Sequence, residues 1–358
     1  MRNPCVDIVK GIAIIAVVLV HCKASFPFLG SYTCILGGMW HVPVFFVIAG
    51  FFLKEENVLR PVLFVKKKIG SLYFKLLCFY IPAVLLHNVL LNAGLYSVND
   101  PDLAGKTMHL YSASNFILKL IQTIMFAGRE PIMGAMWFAY VLFLSLVAYS
   151  IISFVIDKFY KEDKYWIVKG LIFFTLAMIS NILSNKYSLT LNRFSNSISA
   201  MFLIYLGQLF NVKLKLKFDS LPAFCGAFLL FIHEIIYSGS ISLNNNFFHG
   251  VFHLACGGGA TTYMLMFASK KISTSHFGKI LAIVGKHSFT IMALHLVCFK
   301  LCTMILNNLF DYSFPLQYIC PYVQENYLCM GAYLLTGTFV PVILAELFEN
   351  LYRKFVNK

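Results

Sequence analysis

Charge is what this sequence has least of. Asp, Glu, Lys and Arg together make up 12% of its 358 residues, where soluble domains carry roughly a quarter. The acidic side is the thinner, with 15 Asp and Glu against 29 Lys and Arg. With 59% of residues hydrophobic, so little charge excludes a soluble globule, which cannot bury that much apolar surface. Linkers are missing too: no low-complexity stretch or internal repeat divides the chain, so residues 1–358 read as a single membrane-embedded domain. A zinc-type cysteine pairing is also missing. Of the ten Cys, most (Cys22, Cys78, Cys225, Cys256, Cys298, Cys302 and Cys329) fall within or at the ends of apolar runs and read as small buried side chains. Only Cys34 and Cys320 lie in segments placed outside. Finally, no contiguous basic face gathers the net charge of +14, which argues against nucleic acid as a partner.

What is present is a series of long apolar runs, each close to the roughly 20 helical residues that cross a hydrocarbon core of about 30 Å. Ten are readable, at 6–25, 34–53, 69–92, 136–156, 165–183, 194–212, 220–237, 248–268, 280–305 and 327–349. The expected fold is all-α: a polytopic protein of about ten transmembrane helices, with the lipid bilayer as its solvent. The first run resembles a signal peptide but lacks a small-residue cleavage site, so it is read as a retained helix. Basic residues fall unevenly between the runs. Arg2, Lys54, Arg60, Lys66 to Lys68 and the clusters around Lys161, Lys215, Lys271 and Lys354 put 18 on one side; Lys23, Lys106, Lys119, Arg129, Lys186 and Arg193 put 6 on the other. By the positive-inside rule both termini are cytoplasmic. The connection 93–135 is then an outer loop, and its stretch 116–126 is expected to form an interfacial or re-entrant helix.

Basic residues within or at the margins of the runs are costly in lipid and normally face a cavity or a partner. Lys75 and Lys169 lie near enough to inner ends to snorkel. Lys10 is different, because His21 follows it by eleven residues, which at about 100° per residue leaves both on one helix face and roughly 16 Å apart along the axis. Asp7, three residues before Lys10, is placed to pair with it. Further histidines (His41, His87, His233, His249, His253 and His295) fall at a depth similar to that of His21 and suggest a polar chamber nearer the outer face. His249 and His253 have the spacing of a metal pair but no visible third ligand, so no metal is assigned. Ser288 and His295, seven apart, share a face, with Lys286 roughly opposite. Gly257, Gly258 and Gly259 read as close helix packing, and Trp137 as an interfacial anchor.

These residues also carry a resemblance. Asp7-Ile8-Val9-Lys10-Gly11-Ile12 followed by His21, then Trp40-His41-Val42-Pro43-Val44-Phe45-Phe46 with Ala49-Gly50-Phe51, Trp137-Phe138, and Gly285-Lys286-His287-Ser288-Phe289 with Leu294-His295, resemble in order the signatures of the acyltransferase type 3 family. Lys10 and His21 match its basic residue and histidine; many members carry Arg in the first position, and Lys10 keeps the charge without the planar fork. The resemblance implies an integral-membrane enzyme that transfers an acyl group, usually acetyl, from cytoplasmic acyl-coenzyme A to a hydroxyl of a surface glycan or lipid-linked sugar. It implies a multi-pass location in the cell membrane, the inner membrane in a bacterium. Acyl-coenzyme A enters as a substrate, and no permanently bound cofactor is expected. The anionic donor calls for cations at the inner mouth: Lys10 with Asp7, Lys286 with Ser288, and the run Lys66 to Lys68. His21 is expected to act as the base or acyl relay, with His41 and His295 as the other catalytic candidates. Trp137 and His253 are assigned to the acceptor side. The rival classes are a transporter or flippase for a sugar-like solute, whose pathway would also need intramembrane charges, and a sensor or assembly protein without turnover.

Overall fold

Apolar sequence with few prolines inside its runs folds as helix after helix. Among the described residues the only β pairing is an isolated bridge between Ser242 and Phe247. The computed structural model describes residues 3–22, 34–96, 108–191, 193–310, 312–321 and 327–356; Arg2, Lys23, Lys106 and Lys358, used in the charge tally, and the side chain of Cys34 lie outside them. In chain order the main helices are α1 (Pro4–Cys22), α2 (His41–Phe51), α3 (Pro61–Leu85), α4 (Ala113–Ile124), α5 (Trp137–Phe159), α6 (Glu162–Lys186), α7 (Arg193–Gln208), α8 (Leu221–Tyr237), α9 (Val251–Ile272), α10 (His276–Lys286), α11 (Ser288–Phe310) and α12 (Tyr327–Val356). Their ends follow local chemistry. Pro61 and Pro222 occupy first turns, where a missing N–H costs nothing. The Ser112 and Ser220 hydroxyls cap α4 and α8 by accepting from Asn115 N and Ala223 N.

Each of the ten apolar runs contains helix among its described residues, but they are not equivalent. Seven helices among the described residues are long and apolar enough to cross a membrane, and Ile35–Phe51 and Leu221–Tyr237 are shorter apolar helices. The run at 194–212 becomes α7, which is rich in Ser and Asn and buried along most of its length. The run at 280–305 is broken: α10 ends at Lys286 and α11 begins at Ser288, so helical spacing carried from Lys286 to His295 does not hold, whereas Ser288 and His295 do share one helix. Side chains such as Ile167, Leu171, Leu229, Ile236, Ile343 and Leu347 point outward, as expected of a surface solvated by lipid.

The chain divides into two compact units. The first comprises residues 1–36, 77–136 and 276–358. In it α1 packs along α10, α11 packs along α12, and α1 touches both α11 and α12. The α1–α10 crossing is made by glycines: a Cβ on Gly11 would collide with the carbonyl oxygen of Leu281, and one on Gly285 with that of Asp7. Such backbone-to-backbone approach is open only to the smallest residues. The second unit comprises residues 37–76 and 137–275, with α7 at its centre against α2, α5 and α6. Here a Cβ on Gly50 would strike the carbonyl of Ile204, and one on Gly207 that of Val47. Gly257 and Gly258 pack closely as well; a Cβ on Gly257 would lie 2.7 Å from Met39 O, and one on Gly258 2.5 Å from Leu203 Cδ2.

Candidate active site

Within the first unit, α1 and α11 bring two of the sequence-derived histidines together. The rings of His21 and His295 lie 5.0 Å apart, centroid to centroid, tilted by 56°. The sequence placed both at similar depth; their apposition is tertiary and carries no local signal. His21 Nδ1 is 2.8 Å from the carbonyl oxygen of Val17. His295 Nδ1 is 2.9 Å from that of Ile291 and 3.1 Å from that of Met292. A carbonyl only accepts, so in each ring Nδ1 carries the proton and Nε2 holds the lone pair. His295 is fully buried, and its Nε2 has no hydrogen-bond partner among the described residues. A basic nitrogen left unpaired in a buried place is costly unless something else uses it.

Toward the other end of α1, Lys10 Nζ lies 2.7 Å from Asp7 Oδ1, with Asp7 buried and Lys10 partly exposed. Lys286 is more heavily compensated. Its Nζ lies 2.7 Å from Glu346 Oε1 and 2.9 Å from Glu349 Oε2, both on α12, and His287 Nε2 is 2.7 Å from the same Glu346 oxygen. Lys286 therefore sits in an ion cluster rather than presenting an isolated charge. Ser288, half-buried, opens α11.

His41, Trp137 and His253 belong to the second unit. His41 repeats the back-bonding motif, with Nδ1 on the carbonyl of Gly37, so its Nε2 too holds the lone pair. Trp137 is half-buried, with the Arg193 guanidinium over its ring at 5.8 Å from the centroid. His253 is buried and uses both ring nitrogens: Nδ1 accepts from His249 N at 3.1 Å, which leaves Nε2 to donate to Gly239 O at 3.3 Å. It fixes the entry to α9.

Three polar clusters escaped sequence reasoning. Lys169, expected to snorkel, is instead fully buried. Its Nζ lies 4.7–4.9 Å from the ring centroids of Tyr165, Tyr149 and Trp166 and donates to Tyr165 Oη (2.7 Å), Gln208 Oε1 (2.8 Å) and Glu55 Oε1 (3.4 Å). An aromatic box stabilises a cation that water cannot reach, and only its α6 members are visible as i, i+3 and i+4 spacings. His87 and Glu130 form a second cluster, in the first unit. Nδ1 of His87 is 2.9 Å from Glu130 Oε1, Nε2 is 3.0 Å from His109 O, and the ring stacks on Tyr111 at 3.5 Å. Tyr96 donates to Glu130 Oε1 at 2.7 Å. Burial first, and then the Glu130 carboxylate, hold the Tyr96 and Tyr111 phenols far above their ordinary range, so both remain donors. His87 thus locks the segment before α4 and has no nitrogen left for catalysis. The third cluster surrounds Asn246 in the second unit and is described below. Among the described residues no group of three or more His, Cys, Asp or Glu side chains is placed to hold a metal ion.

The model of a family described as an acyltransferase domain matches residues 3–346, nearly the whole chain. No curated protein matches it, and no solved structure does.

Proposed function

Starting from the fact that the chain belongs to the acyltransferase type 3 family, we propose that this multi-pass membrane acyltransferase moves an acyl group, acetyl first among candidates, from cytoplasmic acyl-coenzyme A to a hydroxyl of a surface glycan or lipid-linked sugar. The observation that carries the assignment of chemistry is the pairing of half-buried His21 with buried His295, each ring with Nδ1 on a backbone carbonyl, the tautomer that makes Nε2 the basic nitrogen. His21 Nε2 takes the proton of the acceptor hydroxyl as that oxygen attacks the thioester carbonyl carbon. The carbon–sulfur bond then breaks, and the coenzyme A thiolate leaves with the proton returned from the His21 imidazolium. His295 supplies a second, water-excluded lone pair beside this proton. The back-bonds to Val17 and Ile291 fix the tautomers, much as a carboxylate orients a catalytic histidine elsewhere.

Lys10, held by Asp7 at 2.7 Å, meets the anionic donor from the cytoplasmic side. Lys286 contributes only as its carboxylate partners yield. The amphipathic α4, which leaves Ile117, Leu118, Ile121 and Ile124 exposed, lies in the outer membrane interface, the setting in which such a face is stable. The test is direct. Purified protein incubated with labelled acetyl-coenzyme A is expected to release free coenzyme A in a manner that depends on added cell-surface glycan or glycolipid. Absence of release under every acceptor condition, with labelled sugar crossing the membrane instead, would make it a transporter.

A further inference from the structure

Sugar recognition uses planar hydrogen-bond donors beside an aromatic surface, held still in advance, and the second unit contains such a group. At the start of α7 the Arg193 guanidinium lies over the indole of Trp137, and its Nη1 donates to Asn244 Oδ1 at 2.7 Å. Asn244 and Asn245 are exposed in the short turn Leu243–Asn245, closed by the Ser242–Phe247 bridge. The turn is anchored from below by Asn246, fully buried and in the left-handed region at φ 53°. Its Nδ2 donates to Ser180 O (3.1 Å), Ser180 Oγ (3.0 Å) and Ser184 Oγ (2.9 Å), and its Oδ1 accepts from Ser199 Oγ at 2.7 Å. Asn196 Nδ2 donates to Asn244 O at 2.8 Å. Tying a connector this firmly to two helices removes the conformational freedom that ligand binding would otherwise have to remove.

The chemistry at the tip is specific. With Oδ1 of Asn244 committed to the guanidinium, the amide offers its Nδ2, a two-proton donor, next to the planar donor fork of Arg193. Vicinal hydroxyls of a pyranose accept from such a pair, while the C–H face of the sugar packs on an indole flank. We propose that Trp137, Arg193 and Asn244 form a binding subsite for one sugar ring of the acceptor. This rests on the acceptor being a glycan, and it adds two residues, Arg193 and Asn244, that no sequence pattern singled out. A neutral pyranose and a sugar acid both present vicinal hydroxyls, and the guanidinium suits either.

Saturation-transfer NMR on the full chain in lipid nanodiscs, free of sugar detergents, tests the subsite. The probes are methyl glucoside, methyl galactoside, the methyl glycoside of N-acetylglucosamine and methyl glucuronide, each at about 10 mM, a concentration suited to millimolar affinities. Transfer to the ring C–H protons of at least one probe is expected, with the neutral and acidic arms telling the two sources apart. Arg193→Ala and Asn244→Ala should each weaken it about tenfold, the loss of one well-placed polar contact of roughly 1.4 kcal/mol. Arg193→Lys, which keeps the charge and loses the fork, should also weaken it, whereas Asn245→Ala should not. No transfer to any probe from the unaltered protein, or equal transfer in Arg193→Ala and Asn244→Ala, overturns the subsite. Coenzyme A release reads separately: glycoside binding without release sinks the acyltransferase chemistry and leaves the subsite, and release without glycoside binding does the reverse.

Discussion

At the scale of single residues, the prediction with most at stake concerns His21. Its replacement by Ala removes the base while leaving the Ile and Val that hold α1 in place, so insertion should be near normal. Acyl transfer should fall by roughly a hundred- to ten-thousandfold, the range general-base catalysis supplies. Single-turnover transfer from labelled acetyl-coenzyme A measures this, with His41→Ala and His295→Ala as contrasts. If either contrast is inactive while His21→Ala still transfers acyl groups, the base is that residue and α1 is only a wall. Lys10, Asp7 and His21 were legible in the sequence because one helix relates them, and a helix is a rule that spacing can follow. The partner of His21 was not, since His295 reaches it only through the packing of α1 against α11. The burial of Lys169 was illegible for the same reason: Tyr149 and Gln208 come from other helices, and without them a lysine near a helix end looks bound for water.

At the scale of elements, the all-helical fold was readable because apolar length is a direct signal, and seven helices among the described residues are long and apolar enough to span a membrane. The break at His287 between α10 and α11 was not, since Gly285, the nearest breaker, sits inside α10 and reads equally as a packing residue. The two glycine crossings were legible only in part. Gly11, Gly50 and Gly285 lie inside the segments that carry the family resemblance, yet nothing in one sequence says that a motif glycine serves packing rather than chemistry. A substitution decides it. Gly285→Ala drives a methyl group into the Asp7 carbonyl, a collision with backbone that rotamer changes cannot relieve, and should destabilise the protein by about 3 kcal/mol, the upper end of overpacking costs. Thermal melting of the purified protein measures this. A melting curve superimposable on that of the unaltered protein would mean that α1 and α10 stand further apart than described.

At the scale of the whole molecule, the 18 to 6 distribution of basic residues predicts which ends of the helices face the cytoplasm. Single cysteines introduced near Asn99, which lies outside the described residues, and near Asn245 should react with an impermeant thiol reagent from outside, and those near Lys67 or Lys215 should not. The inverse pattern would put the His21 end of α1 on the cytoplasmic side and remove the donor route from Lys10. The glycine crossings bear on how this protein would look to genetics. A mutational screen scored only on acylated product would place Gly11, Gly50, Gly207 and Gly285 in the same class as His21, because a chain that cannot assemble and a chain that cannot react give the same blank. Quantifying the protein that reaches the membrane, variant by variant, is what would sort architects from chemists.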